Sequence, residues 1–193
     1  MKSRSSKIII LLLLVCLFVT GCGKKDNTKK DNDKSQTQEN ENAKKLKIVD
    51  VNSKSRPYAV MINNINVARP LQSGLQDAYL MYKIIVEGGI TRYMALFMDQ
   101  NTTRIGSIRS ARHYFLDYAL ENDAIYVHHG QSPQAQSDFS TLNIDRIVVD
   151  NSKTGWRDKS LKVSSEHTLF TSIEKLNNGL GNKRTTRNNN LLI

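Results

Sequence analysis

A long polar stretch near the N-terminus limits where this chain can fold. Residues 23–45 read GKKDNTKKDNDKSQTQENENAKK, and their only apolar residue is Ala43. Such a segment cannot bury enough apolar surface to offset the conformational entropy that is lost on folding. We therefore predict a disordered tether over residues 22–45 and a folded part that begins at about Leu46. Residues 46–193 have the length of one domain with a single core.

The residues before the tether have the composition of an export signal. Three basic residues precede an apolar run over residues 8–19, the order found in secretory signals. A spanning helix needs about 20 apolar residues, so this run is too short to cross a bilayer. It is followed by the sequence TGC, a small-residue cleavage site that resembles the bacterial lipobox. We predict a lipoprotein signal peptide over residues 1–21 and lipidation of Cys22. The alternative is an ordinary signal peptide with an incidental cysteine.

The positions of the cysteines exclude thiol chemistry from the predicted mature domain. The chain has two cysteines, Cys16 and Cys22. Cys16 leaves with the predicted signal and Cys22 carries the predicted lipid. No thiol then remains for a cysteine nucleophile, a disulfide or a thiolate metal site.

The charge of the chain favours anionic partners. Removing Lys2, Arg4 and Lys7 with the signal lowers the formal net charge from +10 to +7, so the mature chain stays basic. An exported protein meets no chromosome, so we expect no nucleic-acid partner. The charge points to the membrane, wall polymers or phosphorylated lipid precursors. Alternatively, it reflects composition alone, because much of the basic excess lies in the tether and the last few residues.

Apolar runs separated by polar turns predict a strand-rich fold. The predicted strands are residues 47–51, 58–62, 79–86, 90–98, 104–108, 124–128 and 146–149. Glu87-Gly88-Gly89 predicts a hairpin turn, because adjacent glycines adopt positive φ without steric cost. Residues 99–103 form a second polar loop before the strand at 104–108. The expected result is an antiparallel meander.

Helices are predicted after this meander. Ser110 is a candidate cap for a helix over 111–122, and Ser132 precedes Pro133 at the start of a helix that runs through Phe139. A third helix is predicted over 168–178, ended by Gly179. The predicted fold class is α/β (α+β), with a mixed, largely antiparallel sheet and two or three helices.

The stretch IGSIRSARHYF, residues 105–115, contains the main candidate site. Arg109 and Arg112 lie where a strand is predicted to give way to a helix. Cations at the positive end of a helix cost free energy unless an anion lies between them. We therefore predict an anion-binding site, and its candidate residues are Arg109, Ser110, Arg112, Arg92, His128 and Ser132.

A structural alternative uses residues that the chain already contains. Carboxylates could pair with these arginines in an ordinary ion-pair network, and the candidates are Glu87, Asp117, Glu121 and Asp123. His128 is a weak candidate for a general base, but a single inward-facing histidine is more often a hydrogen-bonded core residue. A metal site at His128, Asp138 and Glu87 has no diagnostic spacing, so we predict neither a metal nor a cofactor.

Several blocks together resemble the YerB-like family of bacterial lipoproteins, a domain of unknown function. They are RPYAVMINN, ARPLQSGLQDA, VEGGITRYMALF, IGSIRSARHYF and AIYVHHGQSPQA. The resemblance implies a lipid-anchored extracytoplasmic protein, mostly of Gram-positive bacteria, with an α/β N-terminal domain and usually a smaller C-terminal domain. It implies no catalytic residues. The chain ends NKRTTRNNNLLI about where the family would continue, so we expect a shortened C-terminal end.

Two functions from different classes fit these observations. The first is a membrane-tethered binding or scaffolding protein for an anionic envelope ligand or an envelope protein. The second is an envelope phosphotransferase or hydrolase that acts on phosphorylated cell-wall or lipid-linked glycan precursors, with His128 as base. Catalysis requires a convergent acid, base and nucleophile, and the sequence offers arginines with one plausible base. We therefore favour binding.

Overall fold

A computed structural model describes residue 50 and residues 52–187. Its strands are β1 (Tyr58–Asn63), β2 (Leu80–Ile85), β3 (Thr91–Phe97), β4 (Ile105–Gly106), β5 (Ile125–His128), β6 (Arg146–Val148), β7 (Trp156–Arg157) and β8 (Leu169–Thr171). Its helices are α1 (Leu116–Glu121), α2 (Pro133–Thr141) and α3 (Ile173–Asn178). The predicted signal, Cys22 and the tether lie outside the described residues, as does nearly all of the strand predicted over 47–51.

The strands form two sheets. The larger sheet has the order β2-β3-β1-β5-β6, and the smaller one has the order β4-β8-β7. β1, β5 and β6 run parallel, whereas β2 and β3 pair antiparallel with their neighbours. All pairings in the smaller sheet are antiparallel. The predicted mixed, largely antiparallel α+β fold is therefore confirmed.

The larger sheet separates two parts of the core. Along β1, the side chains of Tyr58, Val60 and Ile62 face one part, and those of Ala59 and Met61 face the other, as strand geometry requires. The first part also contains residues of the smaller sheet and of α3. The second contains the buried faces of α1 and α2. The sheet is thus covered on both sides, which explains why β1 reads as a continuous apolar run.

The hairpin between β2 and β3 forms as predicted. Residues Glu87–Gly89 make a single 3-10 turn, and the Val86 amide donates to the Ile90 carbonyl at 2.8 Å. Gly88 and Gly89 both have positive φ, at 72° and 70°. A side chain at either position would be strained, so the glycine pair fixes this turn.

Two predictions about secondary structure were wrong: the pairing partner of one strand and the start of one helix. Residues 104–108 do not continue the meander, because only β4 is a strand there and it pairs with β8 in the smaller sheet. The helix predicted over 168–178 is limited to α3. The residues before it, Leu169–Thr171, are buried as β8 between β4 and β7. Burial in a sheet outweighs the helical spacing at these positions.

One arginine joins the amino ends of the three parallel strands. Arg56, just before β1, donates through Nε to the Asp123 carbonyl at 2.8 Å and through Nη1 to the Asp145 carboxylate at 2.5 Å. Asp123 precedes β5 and Asp145 precedes β6. Arg184 binds the other side of the Asp123 carboxylate, with Nη1 to Oδ2 at 2.9 Å. We call these residues the Arg56 network.

The described residues belong to the unit that spans Leu46–Ile193. Both parts of its core are built from residues after Arg56. Within the described ranges, no helix is long and apolar enough to cross a membrane.

Candidate functional site: an arginine cluster at the carboxyl edge of the sheet

The stretch that carries the candidate arginines crosses the carboxyl edge of the larger sheet. We call residues 107–111 the crossing segment. The Asn63 amide donates to the Ser107 carbonyl at 2.9 Å, and the Arg109 amide donates to the Met61 carbonyl at 2.9 Å. On the other side, the His129 amide donates to the Arg109 carbonyl at 3.1 Å. The crossing segment is therefore held in an extended form between β1 and the end of β5.

This geometry overturns the helix-terminus explanation for the arginines. Ser110 does not cap a helix. The chain makes a 3-10 turn at His113–Phe115, and α1 begins only at Leu116, without a side-chain cap. The backbone groups of the crossing segment are used by the sheet, so they cannot start a helix. Arg109 does not lie at a helix pole, and its surroundings must be explained by other groups.

Carboxylates meet the two predicted arginines. Arg112 Nε lies 2.6 Å from Glu87 Oε1, and Arg109 Nη1 lies 2.9 Å from Glu166 Oε2. Each glutamate has a lowered pKa, chiefly because of the hydrogen bond from its arginine. Both carboxylates are open to solvent, with side chains 63% exposed for Glu87 and 54% exposed for Glu166. The predicted pairing with Glu87 is confirmed.

The other predicted carboxylates do not reach the arginines. Asp123 lies at the opposite end of β5, in the Arg56 network. Asp117 and Glu121 are exposed on α1. In the described part of the chain, neither forms an ion pair with Arg92, Arg109 or Arg112.

Arg92 supplies a third, deeper cation. It lies on β3 opposite Asn63, is only 5% exposed, and donates through Nη1 to the carbonyl of Ser110 in the crossing segment. Burial, followed by the charges of Arg112 and Arg109, lowers its pKa to about 10, although Glu87 partly offsets this. The guanidinium is still charged at neutral pH. Among the described residues, no carboxylate forms an ion pair with it.

Arg92, Arg109 and Arg112 together form what we call the arginine cluster. The three guanidinium groups are close enough for two of them to lower the pKa of the third. Arg109 Nε is also buried without a hydrogen-bond partner. Arg92 contacts the Ser110 carbonyl between the positions of Arg109 and Arg112, so the cluster lies beside an extended segment and not a helix.

His128 is packed as a core residue. It is 0% exposed, its Nδ1 lies 2.8 Å from the Gly130 carbonyl, and its ring stacks on Phe139 with centroids 5.0 Å apart. Burial lowers its pKa to about 4, so the ring is neutral at pH 7. Nε2 is the acceptor nitrogen if Nδ1 donates to Gly130, but it is buried without a partner. A substrate could not reach this nitrogen without rearrangement of the core.

The two serines of the predicted site have structural tasks. Ser132 caps α2, because its Oγ accepts the Ala135 amide at 3.2 Å. The Ser132 amide donates to the Ala111 carbonyl at 3.2 Å, which joins α2 to the crossing segment. Ser110 supplies the carbonyl that Arg92 binds.

The described ranges contain no group of three His, Cys, Asp or Glu side chains that could hold a metal ion.

The sequence did not indicate a series of polar side chains that contact one another and end at Arg109. Asn63 Nδ2 lies 3.0 Å from His167 Nδ1, and His167 Nε2 lies 3.6 Å from Glu166 Oε1. Glu166 in turn binds Arg109. These residues are far apart in sequence, so no local spacing connects them. The available signal was Asn63-Asn64, two polar residues at the end of a buried strand.

The fold and site define a class: an α+β domain whose mixed sheet is crossed at its carboxyl edge by an arginine-bearing segment. Residues 45–186 match the family described as "Protein of unknown function (DUF3048) N-terminal domain". The chain therefore belongs to this family.

Similar proteins agree with this assignment. The chain is 36% identical over 141 residues to "Putative lipoprotein YerB" of Bacillus subtilis (strain 168), with 72% of this chain and 42% of the relative covered. It also matches the crystal structure of the YerB protein from Bacillus subtilis, with a TM-score of 0.62, 35% identity, and coverage of 69% of this chain and 46% of the other. The chain thus spans less than half the length of the relatives it matches.

Proposed function

We propose that this protein is a lipid-anchored extracytoplasmic binding protein whose arginine cluster takes an anionic envelope ligand. The observation that supports this proposal is the charge arrangement at the carboxyl edge. Arg92 is a buried cation without a carboxylate partner among the described residues, and it lies beside two arginines whose carboxylate partners are exposed. The carboxyl edge of a sheet is also where ligands of open α/β folds bind.

The anchor rests on the N-terminal sequence and on one relative. The export signal and the cysteine after it predict lipidation at Cys22. The relative with 36% identity is named as a lipoprotein. A flexible tether of this length has a root-mean-square span of roughly 25 to 30 Å, so ligands near the lipid headgroups would be within reach.

The magnitudes of the competing contacts favour a ligand over the internal carboxylates. A hydrogen bond to a charged group contributes about 1.5 to 3 kcal/mol, whereas an exposed ion pair contributes about 0 to 1 kcal/mol. Glu87 and Glu166 are exposed and can turn toward water. A phosphate or pyrophosphate group that replaced them would bind Arg112 and Arg109 together and would also reduce the unbalanced charge of Arg92.

Substitutions of one ion pair test this proposal. We expect Arg112→Gln to weaken anion binding about tenfold, the equivalent of one charge-assisted contact. We expect Glu87→Gln to strengthen binding, because it removes the internal competitor. The measurement is a thermal-shift titration of residues 22–193 with Cys22→Ser, against phosphate, pyrophosphate, a polyprenyl phosphate and wall fragments.

The matched control is a second arginine–carboxylate pair away from the cluster. Arg104 Nη2 lies 2.9 Å from Asp158 Oδ2. Arg104→Gln should leave the ligand-dependent shift unchanged. If Arg112→Gln and Arg104→Gln gave the same shift as the parent chain, the cluster would have no part in binding.

A further inference from the structure

A groove lies beside the β2–β3 hairpin. It has a volume of about 710 Å³ and runs between the loop after β1 and the first residues of β3. Ile65, Val67 and Ile90 contribute apolar surface to it, and Arg69 and Lys83 contribute charge. None of these residues belongs to the arginine cluster. The groove is large enough for a phosphorylated headgroup and part of an apolar chain.

Exposed apolar side chains line part of this groove and continue along the adjoining strand β2. Of the nine large hydrophobic residues that are exposed in the described part, five are Val67, Leu80, Met81, Ile85 and Ile90. They lie on β2, on the hairpin or on the loop beside it, and Ile85 is 68% exposed. Among the described residues β2 is also the edge strand of its sheet, so within this part of the chain no further strand pairs with its outer side. A concentration of this kind marks an interaction surface.

The charges on this surface all have one sign. Arg69 and Lys83 are exposed, and in the part of the chain that the structure describes neither forms an ion pair. Arg69 Nε donates to the Asn64 carbonyl at 3.2 Å, which holds its stem along the groove. None of the described residues that line the groove carries a carboxylate. The nearest acidic residue of the hairpin, Glu87, is turned to Arg112.

We propose that this surface docks on the anionic phospholipid surface of a membrane. In the docked state, Ile85, Ile90 and Val67 enter the boundary between headgroups and acyl chains. Arg69 and Lys83 contact lipid phosphates, as cations flanking apolar side chains do at membrane interfaces. These contacts would add to the lipid anchor predicted at Cys22 and would fix which face of the domain meets the membrane.

The positive charge of this surface favours a bilayer over a second copy of this chain as its binding partner. In a two-fold symmetric pair the same patch faces itself, so a groove that carries Arg69 and Lys83 would meet a second groove with the same two cations. An anionic lipid surface complements both the charge and the apolar side chains. The lipid is therefore the favoured occupant.

Vesicle sedimentation tests the proposal with residues 22–193 carrying Cys22→Ser. We expect binding to vesicles of equimolar phosphatidylglycerol and phosphatidylcholine, and little binding to pure phosphatidylcholine. Arg69→Gln and Lys83→Gln should each weaken binding about fivefold, the effect of one surface charge near an anionic membrane. Ile85→Ser should weaken it by a similar factor.

The controls are equivalent changes elsewhere on the surface. Val148 is exposed on β6 at the opposite edge of the sheet, and Lys153 is exposed on the loop before β7. Val148→Ser and Lys153→Gln should bind vesicles like the parent. Equal binding by every variant, or equal binding to neutral vesicles, would overturn the proposal. A dimer that Ile85→Ser dissociates, without vesicle binding, would assign the surface to a second copy and would also overturn it.

Discussion

Replacing Asp123 with asparagine is expected to lower the free energy of unfolding by about 3 kcal/mol. The carboxylate of Asp123 is buried against Arg56, with Nε to Oδ1 at 3.3 Å, and the Arg56 guanidinium is also buried. Removing the Asp123 charge leaves the buried Arg56 guanidinium with Asp145, which is partly open to solvent, as its remaining carboxylate partner. Asparagine keeps one acceptor oxygen and tolerates the positive φ of 49° at this position. The loss of stability would therefore come from the missing charge and not from backbone strain.

Chemical denaturation of the parent and variant chains measures this effect. Asp158→Asn is the control, because Asp158 pairs with Arg104 nearer the surface and its replacement should cost much less. An equal loss in both variants would mean that the Arg56 network does not hold the amino ends of β1, β5 and β6 together.

The stability of the domain is expected to fall by about 3 kcal/mol as the pH drops from 7 toward 4, through His128 alone. Burial lowers the pKa of His128 to about 4, compared with about 6.5 in an unfolded chain. The folded state therefore favours the neutral ring and the unfolded state takes up the proton first. The contribution is fully present above pH 6.5 and is lost progressively as the pH falls toward 4.

Denaturation curves recorded across this pH range measure the slope. His128→Phe, which retains an aromatic ring against Phe139, should flatten the curve between pH 6.5 and 4.5. His113 is exposed, and His113→Phe should leave the slope unchanged. A His128→Phe chain with the parent slope would show that other groups cause the acid sensitivity.

The sequence predicted the elements whose signals are local. The apolar run of β1, the glycine pair of the hairpin and the Ser132-Pro133 start of α2 each carry their own signal, and each forms as expected. β4 and β8 were misjudged because both are short and are stabilised by each other across the smaller sheet. A pairing between residues so distant in sequence leaves no local pattern.

The same contrast holds at the candidate site. Arg109, Arg112 and Arg92 are candidates from the sequence, and the structure places Arg92 against the Ser110 carbonyl in the crossing segment. The assigned cause was wrong, because the backbone of the crossing segment pairs with β1 and the end of β5 before α1 begins. Glu166 was missed because it reaches Arg109 from a loop far along the chain. The helical spacing of apolar residues after Arg109 carries no information about the hydrogen bonds that the backbone of the crossing segment makes with distant strands.

Anion binding at the arginine cluster is tested most directly by following the guanidinium groups themselves. The chain of residues 22–193 with Cys22→Ser, labelled with ¹⁵N, would be titrated with pyrophosphate while the arginine Nε–H resonances are recorded. We predict saturable shifts at Arg109 and Arg112, with the larger shift at Arg109, whose buried Nε lacks a partner. The Arg104 resonance should stay in place. Unchanged Arg109 and Arg112 resonances, or an equal shift at Arg104, would contradict the account.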